Sequence, residues 1–135
     1  MSKGYKQLLA EANSSIETIQ AADAMRHLQS EDVVFIDVRD LPELERDGTI
    51  PGAVHASRGM LEFHADPESP YHKDVFASGK KLILYCASGG RSALAAQRLQ
   101  DMGLTRVAHI GGGIKAWKEA NGPVEAAVVS RTVNR

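Results

Sequence analysis

The run Val33-Val34-Phe35-Ile36-Asp37-Val38 is β-branched and apolar with almost no alternation, and Leu82-Ile83-Leu84-Tyr85 repeats the pattern. A strand with one wet face alternates apolar and polar side chains, so such runs belong to strands covered on both faces, as in a parallel sheet. Parallel neighbours need long crossovers, and helical patterns lie between the strands. Tyr5 to Ala12 reads as a short helix interrupted by Ser14-Ser15, Ile16 to Ile19 as a strand, and Ala21 to Leu28 as a helix. Asp40 to Arg46 reads as a short helix and Val54 to Ala56 as a brief strand. Residues 58–79 form an irregular flap with one embedded helix, and Arg91 to Met102 is a helix that Gly103 ends in a left-handed conformation. Val107 to Ile110 is a further strand, and Ile114 to Ala120 a helix stopped by Asn121-Gly122-Pro123. The alternation predicts an α/β fold: a central, mostly parallel sheet with helices on both faces, binding ligands beyond the carboxyl ends of its strands.

At 135 residues the chain is the size of one domain. It divides into a helical extension over 1–14, a body over 15–123 and a tail over 124–135 that carries little signal and is expected to be partly mobile. Sixteen basic against seventeen acidic residues leave a net charge of -1, with no block of like charge. That balance sets aside nucleic acid and anionic membrane surfaces as main partners. The apolar stretches are far shorter than the roughly 20 residues that cross a bilayer. The polar, charged start lacks an apolar signal core, and the expected location is cytoplasmic. A single cysteine, Cys86, excludes an intramolecular disulfide and a cluster of cysteine metal ligands. The five histidines show no His-x3-His pair, which argues against a zinc site.

Cys86 ends a buried strand and is followed by Ala87-Ser88-Gly89-Gly90-Arg91-Ser92 and a helix. Successive backbone N–H groups in such a turn curve around one point, and the helix amino end adds positive potential there. A sulfur at the bottom of this bowl is favoured as thiolate, which makes Cys86 a candidate nucleophile. Gly89 and Gly90 are expected to supply the backbone freedom a tight ring needs. Arg91 is expected to orient an oxyanion such as a sulfonate, with Ser88 and Ser92 adding hydroxyl donors. A lone cysteine after an apolar strand is most often an inert buried one. The Gly-Gly-Arg-Ser continuation argues against that here.

With these residues in view, the chain resembles the rhodanese family in its single-domain form. Besides the loop, Ile36-Asp37-Val38-Arg39-Asp40 with Glu43 resembles the family's first motif, and Gly48-Thr49-Ile50-Pro51-Gly52-Ala53 its next. Val107-Ala108-His109-Ile110-Gly111-Gly112-Gly113-Ile114-Lys115-Ala116-Trp117 resembles its closing one. The resemblance implies the rhodanese-like three-layer fold and a sulfurtransferase that requires no metal or organic cofactor. Cys86 takes the outer sulfur of thiosulfate or another sulfane-sulfur donor, holds it as a persulfide, and passes it to cyanide, a thiol or a sulfur-carrier protein. It also implies that Asp37, Arg39 and Glu43 brace the loop, with Arg39 pairing Glu43 or a nearby carboxylate.

Two other readings compete. A rhodanese-like binding or regulatory module keeps the fold without the chemistry, and retention of Cys86 argues against it. Cysteine phosphatases, with which an arsenate reductase shares its chemistry, place five residues between Cys and Arg, whereas four stand between Cys86 and Arg91. Arg58, after the third strand, is placed to reach an anionic donor, and Phe63 and His64 of the flap to wall the pocket. Trp117 shares a helix face with Ile114 and is expected in the core.

Overall fold

The computed structural model describes residues 1–127. Five parallel strands, β1 (Glu17–Ile19), β2 (Val33–Asp37), β3 (Val54–His55), β4 (Lys81–Tyr85) and β5 (Val107–Ile110), lie in the order β1-β5-β4-β2-β3. The helices are α1 (Tyr5–Ser15), α2 (Ala21–Ala24), α3 (Leu41–Asp47), α4 (Leu61–Ala65), α5 (Gly90–Asp101) and α6 (Gly113–Glu119). This is the expected α/β sheet.

Alternate residues of each central strand feed two separate cores. Ile36, Leu82, Leu84 and Val107 pack with α1, α4 and α5, while Phe35, Ile83, Tyr85, Ala108 and Ile110 pack with α2 and α6. Both faces are therefore dry, which is why the strands lack polar alternation. Trp117 is fully buried in the second core, its ring edge against Phe35 at 5.6 Å between centroids. Its indole N–H donates to the Pro123 carbonyl at 2.7 Å, so the segment after α6 is tied down by the residue expected in the core.

Several local expectations shift. Ser14 and Ser15 do not interrupt α1. Their hydroxyls donate back to the Glu11 and Ala12 carbonyls at 2.7 and 3.1 Å, capping its last turn. The helix read as an extension places Ala12 in the first core. The helix predicted over 21–28 is α2 followed by a 3-10 turn at Met25–His27, and the flap holds 3-10 turns on either side of α4. The tail is not free at its start: Thr49 and Glu125 exchange backbone hydrogen bonds of 2.8 and 2.9 Å. Residues 128–135 of the predicted tail lie outside the described residues. No helix among the described residues is long and apolar enough to cross a membrane.

Candidate functional site

β4 delivers Cys86 to its carboxyl end, where the chain turns through Ala87, Ser88 and Gly89 into α5. Cys86 is 1% exposed. The Gly89 amide donates to its sulfur at 3.1 Å and the Ser92 amide at 3.4 Å, with the Ser92 hydroxyl 3.6 Å away. The bowl of amides thus forms around Sγ, and the amino end of the twelve-residue α5 points at it.

The loop's opposite side explains why its amides face the sulfur. The carbonyls of Cys86 and Ala87 turn away and accept from the Ile114 and Lys115 amides of α6 at 2.9 and 3.1 Å. This close docking needs Gly113, whose φ is +63° and on which a Cβ would stand 2.5 Å from both carbonyl oxygens. Gly113→Ala is therefore expected to lower stability by at least about 1–2 kcal/mol, the cost of a left-handed non-glycine residue alone. Urea denaturation measures it, and an unchanged midpoint would show that α6 does not hold the loop. Of the two loop glycines, only Gly89 carries the expected conformational demand. Its φ is +110°, whereas Gly90 is an ordinary first helical residue with open space where a Cβ would go.

Arg91 is not a free anion receptor. Its two terminal nitrogens donate to the two carboxylate oxygens of Glu43 at 2.8 and 2.9 Å, joining α5 to α3. This bidentate pair holds the Glu43 carboxyl below its ordinary range despite partial burial, and raises Arg91 in turn. Glu43 is thereby tied to the residue that follows the loop. The expectation that Arg39 pairs with Glu43 or a nearby carboxylate is met by the second of these: Arg39 pairs with Asp37 at 2.7 Å, both side chains 1% exposed. Arg39 also donates to the Gly48 carbonyl, and its own carbonyl lies 2.7 Å from His55 Nε2.

Arg58, Phe63 and His64 have other engagements. Arg58 opens a 3-10 turn and is captured one turn on by Glu62 at 3.1 Å, lining a groove along α5 with Leu94, Arg98 and Asp101. Phe63 is 52% exposed, and His64 Nδ1 lies 2.9 Å from the Tyr71 carbonyl within the flap. None of the three lines the cleft beside the cysteine loop. That cleft, of about 320 Å³, is walled by Ser88, Gly89 and Gly90, by Thr18, His109 and Gly112, and by Leu9 and Asn13 of α1. Thr18 and His109 were not singled out from the sequence. Their signal is one polar residue in the otherwise apolar β5, which the β1–β5 register sets beside Thr18. Among the described residues no group of three or more His, Cys, Asp or Glu side chains is arranged to hold a metal.

Comparison with known proteins matches residues 20–120 to the family model described as the rhodanese-like domain. A sulfurtransferase of Allochromatium vinosum is 32% identical over 103 residues, covering 76% of this chain and 88% of that protein. A thiosulfate sulfurtransferase, GlpE, of Coxiella burnetii is 30% identical over 103 residues, covering 74% of this chain and 85% of its own length. A solved structure from Rhodopseudomonas palustris is 56% identical with a TM-score of 0.89, covering 93% of this chain and 96% of that one. It is described as a protein of unknown function, possible tyrosine phosphatase.

Proposed function

The chain belongs to the rhodanese-like domain family, and from that premise we propose that it is a sulfurtransferase carrying sulfane sulfur as a persulfide on Cys86. The Cys86 thiolate attacks the outer sulfur of thiosulfate or a persulfide donor, the donor's S–S bond breaks, and sulfite or a thiolate leaves with the bonding pair. A thiolate acceptor, cyanide or a sulfur-carrier protein then attacks the outer sulfur of the persulfide, and the Cys86 thiolate leaves. Such a two-step transfer needs a group that is both nucleophile and leaving group, and backbone donors on the sulfur favour both roles. The observation that carries the reading is the pair of amides, Gly89 and Ser92, directed at the sulfur of the sole cysteine.

The description of the Rhodopseudomonas palustris protein raises the phosphatase alternative, and two features oppose it here. Four residues separate Cys86 from Arg91, and the arginine's terminal nitrogens are taken by Glu43. A phosphate dianion would find little net positive charge in the ring. Intact-mass analysis after mixing with thiosulfate is the test. The expected result is a gain of one sulfur atom that a thiol acceptor removes. Absence of that gain with thiosulfate and with persulfide donors, alongside turnover of an aryl phosphate, would reverse the choice.

A further inference from the structure

His109 is 2% exposed and sits on β5 with a hydroxyl at each ring nitrogen. Nδ1 lies 2.9 Å from Ser92 Oγ, and Nε2 lies 3.1 Å from Thr18 Oγ1. Ser92 Oγ in turn is 3.6 Å from Cys86 Sγ, while Thr18 is exposed in the wall of the cleft. The four side chains form one chain of contacts running from a buried sulfur to solvent. An apolar residue at 109 would fill the same space with no polar atoms to satisfy.

We propose that His109 is a positioning residue for Cys86: by reversing the direction of its hydrogen bonds to Ser92 and Thr18 when the thiol ionises, it aims the Ser92 hydroxyl at the sulfur anion. The inference rests on the reading of Cys86 as the nucleophile. In the thiol state, S–H donates to Ser92 Oγ, the Ser92 hydroxyl donates to Nδ1, and Nε2–H donates to Thr18 Oγ1. On ionisation the sulfur's proton passes to Ser92 Oγ, and the former Ser92 proton passes to Nδ1. The Nε2 proton passes to Thr18 Oγ1, whose former proton enters solvent in the cleft. One proton leaves, and the imidazole ends neutral with its hydrogen on Nδ1. All donors now point the other way, so Ser92 O–H becomes a third donor to the sulfur beside the two amides.

This exchange asks the ring to stay neutral in both states, and burial does push the imidazole below its ordinary value. The ring's neighbours, Thr18 of β1, Ser92 of α5 and Gly89 of the loop, are uncharged. The charge that reaches Cys86 is that of Arg91 on α5, which Glu43 of α3 pairs.

The test reads the ultraviolet thiolate absorbance of the intact protein against pH, a signal that belongs to Cys86 as the sole cysteine. In His109→Leu and in Ser92→Ala the ionisation constant of the thiol is expected to fall about tenfold relative to the unaltered protein, the equivalent of one charge-assisted hydrogen bond, so that the whole absorbance curve moves to higher pH. The double variant should be no worse than the poorer single one. His109→Asn, whose amide stands where Nδ1 stood, should recover the curve. A wild-type curve in His109→Leu, additive losses, or an asparagine variant as poor as leucine overturns the proposal. Should His109→Leu not fold, Ser92→Ala carries the same expectation alone, and a wild-type curve for it is equally fatal. Sulfur uptake from thiosulfate is read separately. Uptake without any effect at position 109 removes the positioning role and leaves the transferase, whereas the reverse outcome removes the transferase and leaves the positioning role.

Discussion

Cys86→Ser is expected to take up no sulfur from thiosulfate or a persulfide donor, while losing no more than about 1–2 kcal/mol of stability. The stability cost is small because the replacement oxygen still finds the Gly89 and Ser92 amides, which donate to the sulfur now. The chemical loss is complete because no other cysteine exists to hold a persulfide. A serine hydroxyl in the same bowl is neither ionised near neutral pH nor able to form the S–S bond on which the second step depends. Intact mass before and after donor treatment decides the matter, with urea denaturation alongside. Sulfur retained by a folded Cys86→Ser protein would place the transfer chemistry elsewhere and end the present reading. The comparison also separates an enzyme from a binding module, because a module of the same fold loses nothing when its thiol becomes a hydroxyl.

The cysteine loop was legible in the sequence because every element of its physics is local. A buried strand, a glycine turn and a helix start lie in consecutive residues, so the amides that meet the sulfur come from positions three and six places further on. The sheet was legible for a related reason: the period of burial along a strand is written in its own residues. What failed was pairing across the chain. Glu43 and Arg91 are 48 residues apart, and no local pattern says that α3 lies against the start of α5. Between Glu43 and a nearby carboxylate, Arg39 takes Asp37, because residues two apart on extended backbone share a side. His109 and Thr18 meet because the edge strand β1 docks beside β5, a choice that alternation alone leaves open. Arg58 was misjudged because the chain after β3 turns at once into a 3-10 turn and α4, where Glu62 captures it.

The Asp37–Arg39 pair supplies the largest expected change in stability. Arg39 Nε lies 3.0 Å from Asp37 Oδ1 and Nη2 lies 2.7 Å from Oδ2, while the Arg39 amide donates to Oδ1 at 3.0 Å. The guanidinium also stands 5.7 Å from the centre of the Tyr85 ring. Burial alone would pull Arg39 down, yet Asp37 more than compensates, so its value stands above the ordinary one. Asp37→Asn keeps the shape, turns an amide NH₂ toward a donor, and leaves a buried cation without its counter-charge. The expected loss is about 3–5 kcal/mol, the usual cost of breaking such a pair from one side. Measured against total stabilities of about 5–15 kcal/mol, that is enough to leave part of the protein unfolded near body temperature. Replacing both partners by apolar residues, Asp37→Leu with Arg39→Met, should recover only part of the loss, because it removes the orphaned charge but leaves the Arg39 amide and the Gly48 carbonyl without their present partners. Urea titration of the three proteins tests this. A loss below about 1 kcal/mol in Asp37→Asn would mean that solvent reaches Arg39 and that the pair does not brace this end of the sheet.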